Sequence, residues 1–502
     1  MTAAFSRRQF LGGSLGLAGA ALLAACGTAT TATPTTAPAA SAGGAAAPTA
    51  QPSVAPSTAA SAIPATSAAP AASIAPAASA APATTSVPSA STAASKVGVL
   101  PSKLLEIDYW HRSTGDAAKA FETLAADFNK QYEGKIKVTP SAQGSIADLN
   151  KKVRAAAAGG GLPGALMADD YDATQYAFSK ITVDLEPYVA DPQHGLSAEQ
   201  RADFLPSQIN RHKLPIYNNQ LMAFPQGFSA FATYWNVDAL QKAGLSAPPK
   251  TWKEFPDHVR TVAKANPGMA GWFIGGAGDR FVSTMLTAGV DWLSADGKTT
   301  NFDRPEATEI MTWWKQLYDE KLLDIPKENA RDLFIAQKCA YFMDSSGNAV
   351  GFTNLVKDFK WDVSLPPQAA AGGTVTETYG PVNVIPKTDA EKQLAGWLWL
   401  KWLSTPAPLA SWITATSYFP STKAAAEGPA LKEFYAKNAP AAKALREIAP
   451  NARILTPSPA LTQVRGQIVA DAVNQVLLGQ LAPEVGVKKM KAEADKAVRE
   501  TL

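Results

Sequence analysis

The chain has 502 residues, with 46 lysines and arginines against 43 aspartates and glutamates and a formal net charge of +3. A balance this close to neutral argues against nucleic acid, which calls for a basic stripe, and two cysteines cannot staple a disulfide scaffold. Composition is uneven along the chain: no charged residue falls between positions 9 and 95, and all 12 tryptophans lie beyond them.

The N-terminus reads MTAAFSRRQFLGGSLGLAGAALLAACG. Behind Arg7 and Arg8 comes an apolar stretch, Phe10 to Ala25, rich in glycine and alanine. It is too short and too small-residued to span a membrane, which takes about 20 strongly apolar residues. Basic flank, apolar core and small-residue exit make residues 1–25 a cleaved export signal. SRRQFLGG resembles the twin-arginine signal, and LAAC at 23–26 resembles a bacterial lipobox. The second resemblance implies that Cys26 is lipidated and becomes the first residue of the mature chain, anchored to the outer, extracellular or periplasmic, side of the cell membrane. A secreted protein without an anchor is the alternative. Residues 27–95 are almost entirely Ala, Thr, Ser, Pro and Gly, with nothing to bury, so residues 26–102 read as a disordered stalk on a lipidated cysteine. Cys339, in the apolar FIAQKCAYFMD, is then a lone buried thiol.

Residues 103–502 are too many for one growing core and fit two lobes. LLEIDYWH (104–111) is a strand. Phe121, Leu124, Ala125, Phe128 and Tyr132 recur at helical spacing. KIKVTPSA (135–142) is a strand, 146–158 a helix ended by three glycines and Pro163, and GALMADD (164–170) a short buried strand. This β-α-β-α-β order predicts a parallel sheet flanked by helices. AFPQGFSAFATYWNVDALQKAGL (223–245) gives a long, nearly charge-free strand suited to a hinge, then a helix. Thr251 and Glu254 form a capping box. A glycine-rich loop follows Trp272, a helix spans 308–320, and 330–352 reads as helix, strand, tight turn and helix. Strands at 360–367 and 378–386, an apolar helix at 394–405 and a helical tail broken at 481–483 complete the chain.

Several blocks in order, among them IDYWHRSTGD, TYWNVDALQKAGLSAPPKTWKEF, TNFDRPEATEIMTWWKQLYDE, DLFIAQKCAYFMDSSGN and PLASWITATSYFPSTKAA, make residues 104–500 resemble bacterial extracellular solute-binding proteins of ABC import systems. The group it is most similar to binds sugars, maltodextrins and glycerol-3-phosphate derivatives. The resemblance implies an α/β, two-lobed periplasmic-binding-protein fold (type II-like), with parallel-rich sheets flanked by helices and a ligand cleft at the hinge. Lobe one would take about 103–222 plus part of 380–440. Lobe two would take about 230–375 plus parts of the C-terminal region. The implied function is extracellular capture of a carbohydrate or related polyol and its delivery to importer permease subunits, by a monomer without cofactor or metal. Binding of a glycerol phosphodiester by the same fold is the alternative. A secreted carbohydrate-active enzyme is the rival class. Against it, the four histidines are scattered, HExxH and GxSxG are missing, and no carboxylate pair stands out.

A sugar site needs aromatic faces and short polar groups, placed at the C-terminal ends of strands. Trp110 and His111 end the first strand, at a turn that faces the cleft in the family; packing of Trp110 in lobe one and capping of the next helix by His111 are the alternative. Arg112 replaces a small polar residue there and points to an anionic or highly hydroxylated ligand. Asp169, Asp170 and Asp172 close the third strand, where a carboxylate can accept two hydroxyls; a solvated turn is the alternative, and DDYD lacks the terminal glutamate of a calcium loop. Aligned backward from Asn236, Ser229 falls where the glycerol-phosphodiester branch has a ligand serine, and Phe228 makes the site more apolar. Trp272 opens a glycine loop that is neither a P-loop nor a dinucleotide fingerprint. Ser345 and Ser346 precede a helix whose free N–H groups suit an oxygen-rich ligand; a helix cap made by the same atoms is the alternative. Tyr379 and Gly380 match a cleft-lining turn, and Trp412 and Tyr418 lie in the WITATSYFP block, with Tyr418 matching a ligand-facing tyrosine. Arg465 matches the arginine that the glycerol-phosphodiester branch uses on its anionic ligand; a salt bridge on a solvated helix is the alternative.

Overall fold

The computed structural model describes residues 97–213, 217–370 and 372–501; the export signal with Arg7 and Arg8, the lipidation site Cys26 and most of the stalk lie outside the described residues. In chain order the strands are β1 (Leu105–His111), β2 (Ile136–Ala142), β3 (Ala165–Ala168), β4 (Phe224–Pro225), β5 (Gly227–Asn236), β6 (Ala270–Phe273), β7 (Leu323–Asp324), β8 (Cys339–Ser345), β9 (Trp361–Ser364), β10 (Thr376–Tyr379), β11 (Val382–Val384), β12 (Phe419–Pro420) and β13 (Ala452–Arg453).

Lobe one is built on the sheet β2-β1-β3-β11-β4. The β-α-β-α-β order puts β1 between β2 and β3, parallel to both. The helix Gly115–Gln131 forms because Phe121, Leu124, Ala125 and Phe128 share one face, which it buries. The helix Ile146–Gly159 starts at a reciprocal capping box between Ser145 and Asp148. The apolar helix Ala390–Leu403 buries Trp397 and Trp399 in the same core. Among the described residues, no helix is long and apolar enough to cross a membrane.

Lobe two is built around β5, all ten residues of which are buried. β5 pairs antiparallel with β8, β9, β10 and β12, while β8, β6 and β7 continue in parallel. Both sheets are therefore mixed. Each antiparallel pair involves a strand that adjoins a passage between the lobes. The C-terminal helices pack on this lobe through Val464, Ile468, Val473, Met490 and Val498.

The chain passes between lobes at Gln226, at Gly380 and Pro381, and near Asn438, after which the helix Ala439–Glu447 buries Ala441 and Ala444 in lobe two. The first two passages are tied together. Asn383 donates to the Gln226 side chain at 3.1 Å and accepts from the Tyr109 hydroxyl at 2.7 Å, all three buried. Gly380 has a φ of +114° and lies so close to β5 that a Cβ would stand 3.1 Å from the Phe228 Cα, which is why glycine serves at this turn.

Candidate functional site

Between the lobes lies a cleft with a cavity volume of about 270 Å³. Strand ends supply much of its lining: Arg112 follows β1, Asp169 to Tyr171 follow β3, Ser345 ends β8, and Tyr379 ends β10 with Gly380 directly after it. Asp279 and Arg280 come from the first turn of the helix Ala277–Thr287. Tyr418 precedes β12, and Arg465 sits in a π-helical turn, Val464–Val469.

On the lobe-one wall, Arg112 holds Asp169 at 2.6 Å. Burial raises the Asp169 carboxyl above its usual range, and Arg112 opposes that rise. Asp170 bridges Arg211 and His212, the latter at 2.7 Å. Burial alone would raise this carboxyl, but Arg211 and His212 outweigh it and hold Asp170 below its usual value. Arg211 also donates to the Gly380 carbonyl at 3.4 Å, which connects this wall to the hinge.

The lobe-two wall is one connected network. Arg280 pairs with Asp344 at 3.0 Å and donates to the Tyr379 hydroxyl at 2.8 Å. Ser283 joins Tyr379 at 2.8 Å and reaches Glu377. Glu377 accepts from Arg465 at 2.6 Å, and Arg465 pairs with Asp279 at 2.9 Å. Beside this network the Ser345 hydroxyl donates to that of Ser229 at 2.8 Å.

The structure thus brings Arg112, Asp169, Asp170, Ser229, Ser345, Tyr379, Gly380, Tyr418 and Arg465 to one cleft. It places the other expected residues elsewhere. Trp110 is buried in lobe one under Lys152, whose ammonium lies 4.4 Å from its ring. His111 turns inward onto Phe121, at 4.9 Å, and burial holds its imidazole down at about 4. Asp172 is turned into lobe one, and burial pushes its carboxyl up to about 6. Phe228 alternates with Ser229 along β5, so the pleat sends it away from the cleft, onto Phe419. Trp272 is fully buried among Trp252, Phe255, Trp313 and Trp314. The Ser346 hydroxyl is taken by the Ala230 amide at 3.1 Å. Trp412 lies behind Tyr418, edge to face at 5.3 Å. None of the tryptophans lines the cleft.

Sequence reasoning missed Tyr171, Arg280, Asp344 and Glu377, and reached Asp279 only as part of the glycine loop after Trp272. Two of these carried a signal. Glu377 lies two residues before Tyr379, on the same face of a strand, and Asp344 adjoins Ser345. The apolar rim, Ile454, Leu455, Pro457 and Leu461, comes from a segment without a periodic pattern.

The sequence model of the family described as bacterial extracellular solute-binding protein matches residues 123–444. The sn-glycerol-3-phosphate-binding periplasmic protein UgpB of Escherichia coli K12 is 24% identical over 362 residues, covering 68% of this chain and 80% of that protein. Among solved structures, UgpB from Mycobacterium tuberculosis in complex with glycerophosphocholine matches with a TM-score of 0.68 and 18% identity, over 79% of this chain and 98% of that one. The cyclic alpha-maltosyl-1,6-maltose binding protein from Arthrobacter globiformis matches with a TM-score of 0.67 and 19% identity, over 79% and 99%. At such identities these two structures establish the shared fold.

Proposed function

The chain belongs to the bacterial extracellular solute-binding proteins, and from that premise we propose that the solute it captures is small and rich in hydroxyls, a carbohydrate or a related polyol. Proteins of this family are the capture components of ABC importers and are not enzymes: the chain takes up a solute outside the cytoplasm and delivers it to a membrane permease.

One observation carries the ligand reading. Each arginine that lines the cleft, Arg112, Arg280 and Arg465, is already paired with a carboxylate. A guanidinium beside a carboxylate offers a donor and an acceptor side by side. A hydroxyl both donates and accepts, so a diol can span such a pair. Tyr171, Tyr379 and Tyr418 add ring faces for the C–H side of a sugar. The cavity, about 270 Å³, is at the small end of ligand sites (roughly 300–1,000 Å³), which favours a short solute over a long chain. A glycerol phosphodiester is the second reading, because Ser229, Ser345, Tyr418 and Arg465 converge on the same cleft and a structural neighbour holds glycerophosphocholine.

In this reading Arg112, Asp169, Ser229, Ser345, Tyr379, Gly380, Tyr418 and Arg465 contact the ligand. The lobes close over it because only the closed form offers both walls. Residues 1–25 are removed, acylated Cys26 anchors a stalk that runs to residue 102, and 103–502 form a monomeric capture domain within reach of its permease. Calorimetric titration of the purified protein with monosaccharides, disaccharides, polyols and glycerophosphocholine tests the ligand class. A neutral hydroxyl-rich solute should bind, and heat from none of them would end the reading. Mass spectrometry of the membrane-extracted chain tests the anchor, which requires an acylated N-terminal Cys26.

A further inference from the structure

Arg465 is the residue that most invites an anionic ligand, yet its charge is already spent. Its Nη1 donates to the Glu377 Oε1 at 2.6 Å, its Nη2 reaches the Glu377 Oε2 at 3.4 Å and the Asp279 carbonyl at 3.3 Å, and its Nε meets the Asp279 carboxylate at 2.9 Å. Glu377 is buried, and each of its oxygens faces a donor: Arg465 on one side, Arg465 and the Ser283 hydroxyl on the other. Burial raises the Glu377 carboxyl, and Arg465, in contact with both of its oxygens, opposes that rise and favours the carboxylate.

Arg465 is also closely packed, from its main chain to its guanidinium. Its main chain lies against Gly278, where a Cβ would stand 1.9 Å from the Arg465 carbonyl oxygen, and its guanidinium lies 6.0 Å from the Tyr171 ring. The remaining arginines are equally committed, Arg112 to Asp169 and Arg280 to Asp344. The lining holds Asp169, Asp170, Asp279, Asp344 and Glu377 against Arg112, Arg280 and Arg465, with Arg211 behind Asp170. The carboxylates outnumber the guanidiniums even with Arg211 included.

We propose that Glu377 is a specificity-determining residue that cancels the charge of Arg465 and so closes the cleft to solutes of net negative charge, leaving neutral or zwitterionic ones. The inference rests on the hydroxyl-rich reading of the site and sharpens it. It also separates this chain from relatives named for sn-glycerol-3-phosphate, an anion.

The probes are sn-glycerol-3-phosphate, its zwitterionic choline diester, and the best-binding neutral sugar or polyol, each titrated by calorimetry and thermal shift against the purified protein. Wild type should show no binding of sn-glycerol-3-phosphate at millimolar concentration. Glu377→Gln, which keeps the shape and removes the charge, should bind it at least about tenfold more tightly than wild type does. Asp279→Asn, whose side chain is half exposed, removes a second countercharge at the rim and should act in the same direction, so the test survives if Glu377→Gln fails to fold. Binding of sn-glycerol-3-phosphate by wild type as tightly as the neutral or zwitterionic probes would overturn the charge filter. So would folded variants that gain nothing for the anion. If the neutral and zwitterionic probes all fail on wild type while the variants gain sn-glycerol-3-phosphate, the filter stands and the hydroxyl-rich reading falls.

Discussion

Gly278 stands directly against the main chain of Arg465: a methyl group on Gly278 would lie 1.9 Å from the Arg465 carbonyl oxygen and 3.2 Å from the Ala470 amide nitrogen. Both obstructing atoms are backbone, so no side chain can rotate away to relieve the clash. The helix Ala277–Thr287 and the π turn must separate instead. Gly278→Ala should therefore cost about 1–3 kcal/mol of stability, as overpacking does, and also weaken ligand binding by displacing Arg465. Gly466, inside the same π turn, meets nothing within 4 Å, so Gly466→Ala should leave stability unchanged or raise it by about 0.4–1 kcal/mol. Urea denaturation of the pair separates the two, and equal effects would count against the contact.

Asp172 and His111 give stability opposite pH dependences. Burial pushes the Asp172 carboxyl up to about 6, against about 3.9 in an unfolded chain. Between those values the folded state holds a proton that the unfolded state has lost, so this residue's effect is to lower stability as pH rises from about 4 to 6. Burial holds His111 down at about 4, against about 6.5 unfolded. Its contribution is present above about pH 6.5 and is lost as pH falls through that window toward 4. In wild type the two slopes oppose each other. Asp172→Asn should remove one of them, matching wild type near pH 4 and exceeding it above pH 6 by roughly 2–3 kcal/mol. Urea midpoints at a series of pH values decide it: a variant profile parallel to that of wild type rules out the assignment.

The aromatic residues divide by position. Trp272 is fully buried in the lobe-two core, so Trp272→Ala should cost about 3–5 kcal/mol. Tyr418 lines the cleft, with Trp412 behind it at 5.3 Å. Tyr418→Phe keeps that packing and removes a hydroxyl next to Arg112, so affinity should fall with the melting temperature nearly unchanged. Melting curves and titrations on both variants suffice; intact affinity in Tyr418→Phe would remove that hydroxyl from the binding surface.

These contrasts show what was legible in the sequence. The alternation of β1 and the spacing of Phe121, Leu124 and Phe128 predicted the first strand and helix, because each reports a local period. Ser229, Ser345, Gly380 and Arg465 could be placed by the blocks around them. Whether a tryptophan faced the core or the cleft could not be read, since Trp110, Trp272 and Trp412 carry the same chemistry in either place. The charge pairs were equally hidden. Asp170 finds Arg211, and Glu377 finds Arg465, across long stretches of chain, and no short-range period records such a partner.

Tyr217 reaches across the lobes. Its hydroxyl donates to the Pro457 carbonyl at 2.5 Å, and its ring stands edge to face with Phe178 at 4.8 Å. Pro457 belongs to the apolar rim of lobe two, whereas Phe178 ends the lobe-one helix Asp170–Phe178. The hydrogen bond therefore exists only when the lobes are together, and it stabilises the closed arrangement by about 0.5–1.5 kcal/mol net. Tyr217→Phe keeps the ring against Phe178 and removes the bond. The closed population should fall, and affinity for the best-binding solute should drop roughly two- to tenfold. Because a contact made on closing acts on the complex, the loss should appear mainly in the dissociation rate. Stopped-flow dissociation measures it directly, and a rate equal to that of wild type would show that Tyr217 does not hold the lobes together.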